Sequence, residues 1–300
     1  MDGRALGHPN ISGMLASVGV HGLRDLENMR IGTRRTLEPL FRAGRVPANS
    51  DYFPVVDVNA PRLRFRNASA TDLTTLTRSP VSLITLAEPD YRFDPATLDS
   101  AKSIVGYRRF QAIKAAELAA ILLDGRYKGR SEITDAEFIS LSVLRSGLED
   151  CNPSTRFWLG LVARFYESTT AYLDAATMRS VNARLLGSKC FVKLSGREQE
   201  ELRYRAAIAM RDREAIVGHG LVLLRDVASL PPAVRAEYVQ STVSALIASG
   251  EVDRAKGVFL DTVSHLPVDS LATLPMRLVV AHLGLPDPTT SSGVMGADPK

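Results

Sequence analysis

From residue 96 to residue 283 the chain carries helix signals almost without a break, and this patterning limits its fold more than any other feature. An Ala-rich stretch, 96–124, sets Phe110, Ile113, Ala116, Ala120 and Leu123 along one stripe and stops at Gly125. Thr134 with Glu137, and Ser195 with Glu198, have the spacing in which an N-cap side chain and the third helical residue satisfy each other's free donors. The first pair predicts a helix to about Arg145, the second a helix around 202–209. Pro153 opens another, whose Trp158, Leu161, Phe165 and Tyr172 recur at helical spacing and read as core, with a ligand platform as the functional alternative. The last helix, 275–283, is closed by Gly284 and Pro286. Strand is expected only at 55–58 and 190–194.

Near the C-terminus the helices suggest a repeat. Gly250, Ala255, Phe259 and Pro267 stand at tetratricopeptide intervals, where a tight turn joins two antiparallel helices, a small Ala permits close approach and a large Phe fills the gap. Asp212, Arg213, Glu214 and Ala215 form a weaker earlier copy, with 228–232 as an insertion. The expected class is mainly α, an array of antiparallel helical hairpins behind a short mixed N-terminal segment.

The N-terminal part differs. Gly3, Gly7, Gly13, Gly19 and Gly22 lack the spacing of a phosphate-binding loop. Residues 24–41 read as helical, broken near Gly32, with Thr33 as N-cap of the second piece and Gly44 as its stop. Residues 67–77 and 80–87 read as two short helices, the second with Pro80 in its first turn, and 88–95 as a linker. Residues 287–300 are too poor in apolar side chains to order themselves and read as a tail.

Residues 49–65 carry the most specific motif. Asn49, Ser50 and Asp51 make a turn, Pro54 forces Phe53 out of helical geometry, and Val55, Val56, Asp57 and Val58 leave extended until Pro61. Arg62, Leu63, Arg64 and Phe65 alternate cations with apolar groups, which suits a segment lying on a partner; with Tyr52 and Phe53, the residues Arg62, Arg64 and Phe65 are the candidate interface. Through Asn49, Ser50, Asp51, Pro54, Val55, Asp57, Ala60, Pro61 and Arg62 this stretch resembles the segment that closes the methyltransferase-like domain of bacterial spermidine synthase-like proteins, the polyamine aminopropyltransferase relatives. The resemblance implies that residues 1–66 are the end of a synthase-like domain. The upstream elements that bind the aminopropyl donor in that family are not found here, so activity of this chain alone is not expected, and no cofactor is implied.

Charge agrees with a contact surface. The net charge is +4, and residues 1–66 hold ten Arg against six Asp plus Glu, so the whole excess sits there. It reads either as a solvated face or as a surface for a partner protein; without a dense basic stripe interleaved with aromatics, nucleic acid is not expected. No apolar run is long enough for a membrane span, the start carries Asp2, Arg4 and His8 with no apolar segment behind them and does not read as a secretory signal, and a cytoplasmic location is the default.

Chemistry-bearing residues are sparse. His8, His21, His219, His265 and His282 include no helical metal pair, and Asp51 with Asp57 enter only through the resemblance. His219, between Gly218 and Gly220, reads as a packing residue, with a catalytic base as the alternative. Cys151 and Cys190 lie far apart without paired spacing, so neither a disulfide framework nor a zinc site is indicated. Cys190 reads as a buried structural thiol, or as one made reactive by Lys189 and Lys193.

The expected organisation is therefore 1–66, the end of a synthase-like domain; 67–95, short helices and linker; 96–286, a helical-hairpin domain; and 287–300, a tail. The expected function is a non-catalytic helical module, a fragment or split partner that packs on or scaffolds an aminopropyltransferase-like domain. Two readings stand beside it: a free-standing helical-repeat scaffold that binds protein, and a fragment of an aminopropyltransferase-family enzyme.

Overall fold

The computed structural model describes residues 32–43, 76, 81–88, 102–125 and 133–286. Of these, 79% are helical and none forms a strand, so the fold is mainly α. The helices are α1 (Arg34–Ala43), α2 (Leu83–Ala87), α3 (Lys102–Asp124), α4 (Asp135–Glu149), α5 (Thr155–Thr169), α6 (Ala175–Leu186), α7 (Lys189–Lys193), α8 (Gly196–Met210), α9 (Arg213–Leu224), α10 (Pro232–Ala248), α11 (Val252–Val263), α12 (Val268–Leu271) and α13 (Leu274–His282). They form two compact units: α3–α8, and a second made of α1, α2 and α9–α13.

In the first unit, α5 packs on α3, α4, α7 and α8, while α6 packs on α3 and α8. Trp158, Leu161 and Phe165 point inward from α5, as their spacing predicts, and meet Leu122, Leu144, Met178, Leu185 and Leu202 in one core. Tyr172 lies beyond the end of α5 and is only half-buried. Both capping boxes form: Thr134 and Ser195 accept from the amides of Glu137 and Glu198, whose carboxylates accept in return from the cap amides at 3.0 and 2.9 Å. Burial alone would raise the pKa of Glu137, but the Lys114 ammonium and the Thr134 donors outweigh it and hold the carboxyl below its usual value. Gly125, at φ +70°, ends α3, and the Arg145 guanidinium lies where its side chain would be, donating to the Ile121 carbonyl at 2.8 Å.

Two expectations fail here. Among the side chains described on α3, from Phe110 onward, the buried ones are Ala115, Leu118, Ala119, Ile121 and Leu122, whereas Phe110 and Leu123 are half-buried, Ala116 and Ala120 face solvent and Ile113 is 45% exposed. With Ala112, Ala115, Ala116, Ala119 and Ala120 widening one side of the helix, the apolar stripe has no sharp edge, and packing partners choose the face. Residues 190–194, expected as strand, belong instead to α7 and its C-cap, because the Ser188 hydroxyl accepts from the Phe191 amide at 3.0 Å and starts a helical turn.

In the second unit, α10 is enclosed by α2, α9, α11 and α13. Tyr238, Val239, Ser241, Thr242, Val243, Ser244, Ala245 and Leu246 are all buried, so this helix has almost no solvent face from Tyr238 to Leu246, while its first turns are exposed or half-buried. Ser249 and Gly250, the latter at φ +85°, turn the chain from α10 into α11, where Ala255 and Phe259 are buried. Arginines close the helix ends: Arg213 donates to the Ala248 carbonyl at 2.8 Å, and Arg235 gathers the carbonyls of Ala228, Leu230 and His265. As expected, Thr33 caps α1, with its hydroxyl 3.4 Å from the Thr36 amide, and α13 ends before Gly284 at φ +65°.

The compact units divide the chain differently from the sequence reading. The stretch 96–286 spans both units, parting between Asp212 and Arg213, and α1 joins the C-terminal helices. The cause is apolar: Leu83, Ile84 and Leu86 of α2 are fully buried beside α10 and α13, and Leu40 of α1 joins Leu76, Ile84 and Leu278 in one cluster. The two helices of the weaker repeat copy, α8 and α9, thereby fall in different units. Expectations for 55–58, for most of 67–80 and for the tail 287–300 lie outside the described residues.

Candidate functional site

In the second unit, Glu88 follows α2 and is 7% exposed. Its Oε1 accepts from the Thr33 amide at 2.6 Å and from the Thr36 hydroxyl at 2.9 Å. From α13, His282 donates through Nε2 to the Thr36 carbonyl at 2.7 Å, which fixes the proton on that nitrogen because a carbonyl can only accept. One buried polar knot thus pins the first turn of α1 to α2 and to the end of α13.

Pinning that face of α1 determines what its other face presents. Arg34, Arg35, Glu38, Pro39, Arg42 and Ala43, together with Ala281, Gly284 and Leu285, line an open groove of about 830 Å³. Glu38 lies between two of the arginines, 3.4 Å from Arg34 and 2.6 Å from Arg42, and holds both guanidiniums along the helix. These pairs are exposed and contribute little to stability, at most roughly 0.5 kcal/mol each. Their effect is positional: three guanidiniums and one carboxylate surround an apolar strip of Pro39, Ala43, Ala281 and Leu285. Pro39 also denies the Arg35 carbonyl its helical donor. Such a surface suits a carboxylate-bearing segment that also carries apolar side chains, because each guanidinium can grip a carboxylate with two parallel bonds.

A smaller concavity of about 390 Å³ lies on α5, lined by Ser154, Arg156, Phe157, Gly160, Leu161 and Arg164. Phe157 is 56% exposed there, and a methyl group at Gly160 would meet nothing within 4 Å.

The sequence-derived interface, Tyr52, Phe53, Arg62, Arg64 and Phe65, lies outside the described residues, as do Asp51, Asp57, His8 and His21. His219 is half-buried in α9, and His265 contributes a backbone carbonyl to Arg235. Among the described residues no three His, Cys, Asp or Glu side chains form a group that could hold a metal. No described helix is long and apolar enough to cross a membrane.

The reading of the cysteines is overturned. Cys151 and Cys190, 39 positions apart in sequence, are joined by a disulfide, with Cα atoms 4.7 Å apart. Packing of α7 against the end of α4 brings them together. Cys190 is therefore buried as expected, but not as a free or activated thiol. In the chain-entropy account a loop of this size stabilises the folded state by roughly 4 kcal/mol.

The arginines of the groove were visible only as part of a charge excess; that Arg34, Arg35 and Arg42 meet Ala281 and Leu285 depends on contacts across more than two hundred positions. No family model, curated protein or solved structure matches the chain.

Proposed function

We propose that this chain is a non-catalytic helical module that holds a partner protein, and that the groove between α1 and the end of α13 receives an acidic, partly apolar segment of that partner. The observation that carries this reading is the set of Arg34, Arg35 and Arg42 around a half-buried apolar strip, braced from beneath by Thr36, Glu88 and His282. The resemblance at residues 49–62 makes an aminopropyltransferase-like chain the first partner to try.

A labelled peptide of alternating Glu and Leu, titrated with the full chain at low salt and followed by fluorescence anisotropy, tests the groove. Binding should weaken at least tenfold in an Arg35→Glu, Arg42→Glu double variant and fall steeply with added salt. Equal binding by the variant, or none by the parent chain, overturns the reading.

The turn at Gly250, with Ala255 and Phe259 buried behind it, favours a second reading in which α9, α10 and α11 serve as a repeat-type scaffold. Binding of a natural partner that survives loss of the groove arginines and is abolished by exposed substitutions on α9 and α11 would select it.

A further inference from the structure

The end of α4 holds an unusual residue. Cys151 follows the C-cap Asp150 in the left-handed conformation, at φ +48°, a place where Gly or Asn is the common choice and where a side chain with a Cβ costs on the order of 1 kcal/mol. A cysteine there needs a reason, and its sulfur supplies one: it reaches Cys190 on α7.

The surroundings close over the bond. Cys190 is 0% exposed and Cys151 8%. A methyl group on Gly147 of α4 would lie 2.3 Å from the Trp158 indole nitrogen and 3.1 Å from the Cys190 sulfur, so the indole and the disulfide share the space above this glycine. The indole N–H in turn donates to the Leu144 carbonyl at 3.0 Å, which fixes the ring over the bond. Thiol–disulfide exchange needs a thiolate to approach one sulfur in line with the other. With Cys190 fully buried and Cys151 nearly so, a thiolate in solvent has little access to either sulfur while the first unit is folded.

We infer that Cys151 and Cys190 form a native disulfide that is sealed once the first unit closes, and that the chain matures in an oxidising compartment. In the forming reaction one cysteine thiolate attacks the disulfide of a thiol–disulfide oxidoreductase or of oxidised glutathione, giving a mixed disulfide and one released thiolate. The second cysteine thiolate then displaces the remaining sulfur. The pair loses two electrons and two protons, and the donor disulfide is reduced to two thiols. In a compartment where glutathione and thioredoxin keep cysteines reduced, the same pair stays as thiols. The bond is thus a staple set during folding and not a reversible switch, and it stands independently of the groove.

The test compares two preparations of the full chain: one made in a reducing cytosol and purified without oxidant, the other refolded from denaturant in a reduced and oxidised glutathione mixture. Each is denatured in the presence of N-ethylmaleimide and weighed. The refolded chain should carry no adduct, and the cytosolic chain two. Dithiothreitol should leave the folded, oxidised chain unlabelled yet open the bond fully once denaturant is added. The oxidised form should melt higher by on the order of 10 °C.

The chain's one tryptophan gives a second readout, because a disulfide against an indole quenches its emission. In the folded state the reduced, cytosolic preparation should emit more strongly than the oxidised one, and the two preparations should emit equally in Cys151→Ser. Two adducts on the refolded chain overturn the disulfide. Rapid reduction of the folded form overturns the seal. A bond already complete in the cytosolic preparation overturns the compartment.

Discussion

The two units meet the same demand, the ordering of short helices, by different means. The first, α3–α8, relies on a large apolar core around Trp158, on two capping boxes and on a covalent link. Its main buried polar chain is neutral: Tyr166 donates to the Asn182 carbonyl oxygen at 2.8 Å, and the Asn182 amide donates to the Ala206 carbonyl at 3.1 Å. Burial pushes the Tyr166 phenol pKa well above its ordinary value, so it remains a donor throughout the physiological range. The second unit encloses α10 and uses charged groups as fasteners: Glu88 holds α1, while Arg213 and Arg235 hold helix ends. Charged groups fasten the first unit as well, through Arg145 at the end of α3, but there a covalent bond and a large apolar core share the task. Loss of volume or of the bond should tell most in the first unit, and loss of Glu88 in the second.

The contrast can be broken most sharply at Trp158. Truncating this fully buried side chain to Ala should cost about 4 kcal/mol, and in denaturant unfolding the loss should fall on the first unit's transition. If both units lose stability equally, they are one cooperative block. Glu88→Ala comes next. It leaves the Thr33 amide and Thr36 hydroxyl without their acceptor and should cost about 2 kcal/mol in the second unit, with amide hydrogen exchange rising in α1 and staying unchanged in α5.

The smallest effect lies at Asp174, the N-cap of α6. The Thr177 hydroxyl, then the Thr177 and Ala176 amides, hydrogen-bond its carboxylate and hold its pKa below the ordinary value. A carboxyl lowered by folding stabilises the native state above its unfolded pKa, near about 4, and that contribution fades as pH falls through the folded value. Asp174→Ala should therefore cost about 1 kcal/mol at neutral pH, and its deficit against the parent chain should shrink in melts run from about pH 5 down to about pH 3. A constant deficit would show that the cap acts through geometry alone.

What could be read from the sequence was local. Thr134 with Glu137, Ser195 with Glu198, Gly125, Gly250 and Gly284 announced helix ends because each acts within a turn of itself. The buried face of α3 was not legible, since alanine fits either side, and 190–194 was too short for periodicity to separate strand from helix. The disulfide and the knot of Thr36, Glu88 and His282 escaped for one shared reason: their members are far apart in sequence and carry no spacing signal. The groove inherits that limit, as its two walls belong to opposite ends of the described chain.

The second unit's discontinuity also sets an order of events during synthesis. A ribosome delivers α1 and α2 long before α10 exists to cover Leu83, Ile84 and Leu86, so these side chains wait with their apolar faces bare while α3–α8 emerge and close on largely nearby partners. The nascent chain thus passes through a stage in which one unit is finished and its neighbour is held open by the absence of its last helices. In that interval a chaperone that grips short apolar segments would have α2 as its natural handle.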